Sequence, residues 1–269
     1  MRLFTKETRI PFIDPNSHEA LLRRREAGTL QWRGPALMLF ARAAFGVGAQ
    51  AIVAAVFVLL RASPTPWHDA EPWLPVYGTL IDAGCLALLW RLTRREGIRL
   101  FDLVGFERTR LARDALLGLA LIPVSLVFIL GGTYAAGWLL YGTPSQPYFF
   151  GALPLPAAVY GVLVWPFIWG LTEQMTYNGY LLPRFQVLCR STRAAITVVA
   201  FAWALQHVVM PLTFEARFMA FRLLSSVPFS VFLTLLYLRL RRVVPLAIAH
   251  ALMDGVSVLI SALFPLWRR

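Results

Sequence analysis

Charged residues are scarce in this sequence of 269 residues. They make up 15% of the chain, against about 25% in an average soluble domain. Only two cysteines are present, Cys85 and Cys189, which is too few for a disulfide scaffold. Hydrophobic residues, in contrast, reach 58%, and the mean hydropathy is +0.62. This composition excludes a disordered chain and indicates a membrane protein rather than a soluble globular one.

Negative charge is the scarcer sign, because 14 Asp and Glu stand against 26 Lys and Arg, for a net charge of +12. In a soluble protein such an excess would indicate nucleic-acid binding. Here the arginines lie between long apolar stretches, so we interpret them as determinants of membrane topology and expect no nucleic-acid partner. Residues 1–35 also contain no apolar run long enough for a cleavable signal peptide.

The apolar stretches predict an all-α polytopic membrane protein with about seven transmembrane helices, or eight if the Arg-rich stretch 93–113 hides another. Each span needs about 20 apolar residues. Trp165-Pro166 predicts a kink in the fourth span. The predicted spans are 36–60, 73–92, 115–141, 155–182, 194–212, 218–238 and 243–267.

The basic residues of the connecting segments alternate along the chain. Taken in order from residues 1–35 to the sixth connection, these segments hold 7, 1, 7, 0, 3, 1 and 3 Lys or Arg. The positive-inside rule then places the N-terminus in the cytosol and the protein in the cytoplasmic (inner) membrane. We therefore expect a cytosolic or interfacial N-terminal segment at 1–35, with a short helix after Ser17, and a transmembrane domain at 36–269.

Four ionisable residues fall inside three of the predicted spans, namely Glu173, His207, His250 and Asp254. At about 1.5 Å per residue, they lie roughly 12–21 Å from the nearest arginine predicted to be cytosolic. Their common depth predicts one shared polar pocket, since such groups are costly in a bilayer and usually functional. The alternative is that they serve as polar contacts between helices.

Arg42 and Asp82 also lie in predicted spans, but each stands alone, and we expect both to be structural. The pocket residues could activate water and stabilise an oxyanion, or bind a metal ion. The sequence contains no HExxH pair or Cys cluster, and no Ser or Cys lies within the three short segments 173–178, 203–207 and 250–254 that hold the pocket residues. The spacing alone therefore leaves membrane-embedded hydrolysis and proton-coupled transport open.

At these residues the sequence resembles the CPBP family, named for CAAX proteases and bacteriocin-processing enzymes and also called the ABI family. The family motifs are E-E-x-x-x-R, F-x-x-x-H and H-x-x-x-N/D. Here they read E-Q-M-T-Y-N from Glu173 to Asn178, W-A-L-Q-H from Trp203 to His207, and H-A-L-M-D from His250 to Asp254. The resemblance covers about residues 155–260 and implies a CAAX-protease-like helical bundle.

The resemblance implies a glutamate-dependent intramembrane endopeptidase acting on membrane-associated proteins or peptides. We expect no cofactor, and the sequence leaves metal dependence open. Glu173 would be the general base on water, assisted by His207, while His250 and Asp254 would orient or stabilise the oxyanion. Tyr177 and Trp203 would support the site.

The sequence departs from the family pattern at three positions: Gln174 replaces Glu, Asn178 replaces Arg, and Trp203 replaces Phe. Positions 174 and 178 are one helical turn apart, so an amide pair is predicted where the family has an ion pair. These departures favour the alternative of a non-catalytic scaffold, immunity or regulatory member of the family. A transporter is the third interpretation.

Overall fold

The computed structural model describes residues 14–144 and 153–267, with side chains described up to residue 260. The described chain is helical, and no strand occurs within these ranges. The first 13 residues of the predicted N-terminal segment lie outside the described residues, as do most of the connection 142–154 and the final two arginines.

Each of the seven predicted spans corresponds to one helix or to a run of helices. In chain order the α-helices, of which α1 and α3 lie outside the predicted spans, are α1 His18–Glu26, α2 Arg33–Leu59, α3 Pro66–Ala70, α4 Leu74–Arg95, α5 Leu111–Tyr141, α6 Leu155–Leu163, α7 Trp165–Gln174, α8 Leu182–Cys189, α9 Thr192–Gln206, α10 Ala216–Leu240 and α11 Val244–Trp267. A π-helix, Met175–Leu181, joins α7 to α8, and short 3₁₀ turns occupy Glu71–Trp73, Leu100–Leu103, Arg108–Arg110 and His207–Val209.

Within the described residues, five helices are long and apolar enough to cross a membrane, and a bent pair would make a sixth. The predicted count of seven or eight is therefore not confirmed. The part of α11 whose side chains are described, Val244–Ile260, is shorter than these spans. The stretch 93–113 adds no further span, because it holds only the end of α4, two short 3₁₀ turns and the beginning of α5.

The predicted kink in the fourth span is confirmed. The helix breaks at Val164, and α6 meets the following helical run at an angle of 41°. Pro166 lies in the first turn of α7, where its missing N–H and its ring prevent α6 from continuing straight. The bend separates α6 from the residues that carry the first motif.

The π-helix Met175–Leu181 is buried along its whole length. π-helices are rare and frequently lie at functional sites. Its glycine is packed closely against the 100–103 turn, since a Cβ at Gly179 would lie 2.8 Å from the Leu103 carbonyl oxygen. Only a residue without a side chain fits there.

The helices around the first motif approach one another closely. α7 packs against α4 and α11, and α9 packs against α8 and α10. A Cβ at Gly170 would lie 3.0 Å from the backbone nitrogen of Ala251. Small residues at such contacts let helix backbones come together, and this contact brings the third motif beside the first.

The described part of the N-terminal segment is packed onto the bundle. Ser17 caps α1 by accepting a hydrogen bond from the backbone of Ala20, at 3.3 Å. Asn16 donates to the Gly179 carbonyl oxygen at 2.7 Å, and Arg25 donates to that of Val187 at 3.1 Å. From residue 14 onward this segment is therefore part of the folded structure.

Candidate active site

Glu173 lies at the centre of the site and is completely buried. Its carboxylate accepts hydrogen bonds from the indole N–H of Trp203, at 2.8 Å, and from the side-chain amide of Gln206, at 2.7 Å. The two donors come from α9 and bind different oxygens of the carboxylate. Charge-assisted bonds of this kind hold a carboxylate firmly in one orientation.

His250 and Asp254 lie beside Glu173, one helical turn apart on α11. The Nε2 atom of His250 is 3.6 Å from Glu173 Oε2 and 3.5 Å from Asp254 Oδ2. His250 is buried, whereas a quarter of the Asp254 side chain is exposed. The first and third motifs are thus brought together, as the shared-pocket interpretation predicts.

Gln174 and Asn178 form the predicted amide pair. Asn178 Nδ2 donates to Gln174 Oε1 at 2.7 Å, and Gln174 Nε2 lies 3.4 Å from His250 Nδ1. Because the Gln174 oxygen is taken by Asn178, its NH₂ group faces the imidazole. That arrangement fits a neutral His250 with its proton on Nε2, directed toward the two carboxylates.

His207 lies at the end of α9, and its contacts are different. Its Nδ1 atom lies 3.0 Å from the Trp203 carbonyl oxygen. A carbonyl can only accept, so Nδ1 carries the proton and Nε2 is left as an acceptor. Glu173, His250 and Arg222 are close enough to interact with His207 electrostatically. His207 therefore belongs to the site but has no direct hydrogen bond to Glu173.

Tyr177 and Trp203 form a buried aromatic layer behind the carboxylate. Their rings stack with centroids 4.9 Å apart and an angle of 8° between the planes. The Tyr177 hydroxyl donates to Gln206 Oε1 at 3.1 Å, which turns the Gln206 amide N–H toward Glu173. Both aromatic residues thus support the site through hydrogen bonds as well as packing.

Gln206 is a site residue that the sequence argument missed. It precedes His207, but no motif or charge marked it. It lies at a position that the second motif leaves unspecified. The signal that could have found it is its uncharged polar side chain in an apolar span.

The expectation that Arg42 and Asp82 each stand alone was wrong. Arg42 Nη1 donates to Asp82 Oδ1 at 2.8 Å, and Arg42 Nε lies 3.4 Å from Glu173 Oε1. The guanidinium also lies over the Trp169 ring, 4.1 Å from its centroid. The two residues are 40 positions apart in the sequence, so only the packing of α2 against α4 brings them together.

An apolar cavity of about 610 Å³ lies beside the site, between α7, α11 and the 101–111 segment. Leu171, two residues before Glu173, and Ala251, next to His250, line it together with Phe167 and Ile248. Among the residues that the structure describes, no group of three His, Cys, Asp or Glu side chains could hold a metal ion.

Part of this chain is similar to a known protein family. Residues 153–256 match the family described as Type II CAAX prenyl endopeptidase Rce1-like. The predicted resemblance to CAAX proteases is confirmed over this region. The Rce1-like region contains all three motifs, and the long apolar helices indicate an integral membrane protein. No curated protein and no solved structure gave a significant match.

Proposed function

We propose that this chain is an intramembrane endopeptidase that hydrolyses peptide bonds in membrane-associated proteins or peptides. The observation that carries the proposal is the 3.6 Å approach of Glu173 and His250 in a buried polar site. Both residues lie in the Rce1-like region, and hydrolysis within a bilayer needs such a site to hold water away from the lipid.

Glu173 is the general base in this proposal. It takes a proton from water, and the resulting hydroxide adds to the scissile carbonyl carbon. His207 assists, because its Nε2 atom is free to accept a hydrogen bond from the same water. The protonated carboxyl of Glu173 then returns the proton to the leaving amine, which restores the carboxylate.

His250 serves the oxyanion of the tetrahedral intermediate. With Gln174 facing Nδ1, the Nε2–H group is a donor inside the buried site, where such a donor is worth more than in water. Asp254, 3.5 Å from Nε2, orients the ring. Gln174 and Asn178 thus set the protonated nitrogen of His250, a role that the Glu–Arg pair of the family pattern would fill differently.

The apolar cavity supports a substrate that is anchored in the membrane. It opens between α7 and α11, the two helices that carry Glu173 and His250. The matched family is named for prenyl substrates, and a lipid-like chain suits a cavity lined by apolar side chains. The anchor would lie there while the peptide bond meets Glu173.

The membrane arrangement is part of the same proposal. We propose that residues 36–269 form the transmembrane domain, that α11 is its seventh span, and that residues 1–35 lie on the cytosolic side of the inner membrane. The alternating basic residues support this orientation.

A non-catalytic scaffold is the second candidate, and one observation favours it. Trp203 and Gln206 already bind both oxygens of Glu173. A carboxylate whose role is only to hold neighbouring helices together would make the same two hydrogen bonds. A carboxylate accepts about four hydrogen bonds, however, so these two donors alone do not exclude a water molecule.

The decisive variant is Glu173→Gln, which keeps the shape of the side chain and removes the base. We expect turnover of a native membrane substrate to fall by about 10²–10⁴-fold, the usual contribution of general-base catalysis. Wild type and variant are compared at matched protein levels in the membrane. Equal turnover would remove Glu173 from the mechanism, whereas binding of one partner by both proteins without cleavage would establish the scaffold.

A further inference from the structure

Arg42 lies outside the Rce1-like region, yet it reaches the candidate catalytic carboxylate. It is completely buried on α2, and its Nε atom is 3.4 Å from Glu173 Oε1. Asp82 on α4 holds Nη1, and the Trp169 ring covers the face of the guanidinium. These contacts fix the cation in one position next to the carboxylate.

Glu173 needs a cation at this position. An ionised carboxylate that is fully buried loses its hydration, and this loss is costly unless a positive charge and hydrogen bonds compensate it. Its hydrogen-bond donors, Trp203 and Gln206, are neutral. His250 is neutral as well when Gln174 faces its Nδ1 atom.

The other charged groups in the neighbourhood do not make this contact. Asp82 and Asp254, when they are ionised, disfavour a further negative charge on Glu173. Arg222, on α10, interacts with Glu173 electrostatically, but its Nη2 donates to the Met210 carbonyl oxygen at 3.2 Å. Arg42 is thus the cation that lies in contact with the carboxylate.

We propose that Arg42, held by Asp82 and Trp169, is a positioning residue that keeps Glu173 ionised and oriented, which rests on the proposed role of Glu173 as the base. The site is then formed by residues of the motif-bearing helices α7, α9 and α11 together with residues of α2 and α4. A carboxylate that was protonated at rest could not take a proton from water, so loss of Arg42 removes the base without removing Glu173.

The test uses the full-length protein in detergent or lipid and three variants. Arg42→Gln removes the cation, Arg42→Lys keeps it, and Arg42→Gln with Asp82→Asn removes both charges of the ion pair. The double variant leaves no unpaired aspartate, so it serves where the single variant fails to fold. Arg242→Gln is the matched control, because it breaks another largely buried ion pair, with Asp114, at the beginning of α11.

The readout is the infrared carbonyl band of a protonated carboxyl group at neutral pH. A band belongs to Glu173 if it disappears when Glu173→Gln is added to the same variant. We expect no such band in the wild type or Arg242→Gln, a band in Arg42→Gln and in the double variant, and little or none in Arg42→Lys. A wild type that already shows the band, or an Arg42→Gln protein without it, would overturn the proposal.

Turnover of a native membrane substrate is measured in parallel. We expect Arg42→Gln to lose at least about 10²-fold, as expected when the base is lost, and Arg42→Lys to recover most of the activity. The infrared result does not depend on cleavage. If the band behaves as expected but the wild type cleaves nothing, the charge role of Arg42 stands and the proposed proteolysis fails.

Discussion

Two buried arginines in this protein have similar neighbours, but only one of them has all of its side-chain nitrogen atoms hydrogen-bonded. Arg184 and Arg42 are both fully buried, both lie over an aromatic ring at about 4 Å, and both meet carboxylates. Arg184 makes bonds of 2.7–3.1 Å to Glu96 and further bonds to Asn16 and the Tyr180 carbonyl. Arg42 has one hydrogen bond, to Asp82.

The difference indicates which cluster is structural. In the described residues, Nε and Nη2 of Arg42 and Oδ2 of Asp82 are buried without a hydrogen-bond partner. Buried polar atoms are normally paired, and each exception needs an explanation. The Arg184 cluster is complete and ties the N-terminal segment to the bundle. The Arg42 cluster keeps polar atoms without a protein partner, which supports its proposed place in the site.

Replacement of Arg184 should have the largest effect on stability. Arg184→Met leaves Glu96 buried with Arg24, at 3.3 Å, as its one cationic partner among the described residues. Removal of one partner from a buried ion pair typically costs about 3–5 kcal/mol. We expect a clear drop in the denaturation midpoint in detergent. An unchanged midpoint would show that the Arg184 cluster does not stabilise the packing of the N-terminal segment on the bundle.

Gln174→Glu should have a smaller effect and should act on chemistry rather than on folding. A carboxylate beside Nδ1 of His250 favours a proton there, so the imidazole becomes doubly protonated. We expect this change in the ¹⁵N spectrum of histidine-labelled protein. Turnover should change by less than about tenfold, the equivalent of one hydrogen bond of about 1.5 kcal/mol, because the doubly protonated ring keeps the Nε2–H donor that serves the oxyanion.

Addition of Asn178→Arg to that variant tests the amide pair directly. The arginine gives the new carboxylate its own partner, so His250 should return toward the neutral form. If the ¹⁵N spectrum is the same in all three proteins, Gln174 does not set the protonated nitrogen of His250.

Arg23→Gln should have the smallest effect. Arg23 pairs with Glu19 on the exposed face of α1, and exposed ion pairs contribute little because water and salt screen them. We expect neither the midpoint nor the turnover to change measurably. A loss comparable to that of Arg184→Met would show that α1 depends on its surface charges more than on its buried contacts.

The sequence predicted the parts of this molecule that depend on local pattern. Apolar runs located the seven helical stretches, Trp165-Pro166 located the bend, and the spacing of Gln174 and Asn178 predicted their amide pair. The approach of Glu173 to His250 followed from their common depth. Each of these inferences needs only neighbouring residues or the thickness of a bilayer.

The parts that the sequence did not predict depend on how distant segments pack. Arg42 meets Asp82 and Glu173 only because α2, α4 and α7 lie side by side. Gln206 joins the site because Tyr177 orients its amide. The docking of Asn16 on Gly179 joins positions 163 residues apart. No periodicity or spacing within one helix contains this information.

The π-helix Met175–Leu181 changes the direction in which the side chains that follow it point. A wider turn accommodates one more residue than an α-helix would over the same length. Each residue of an α-helix corresponds to a rotation of about 100°. Without the extra residue, Glu173 would keep its direction, but Arg184 would turn away from Glu96. The wide turn therefore lets one continuous helical run direct its first charged residue, Glu173, into the site and its last, Arg184, into the cluster that binds the N-terminal segment.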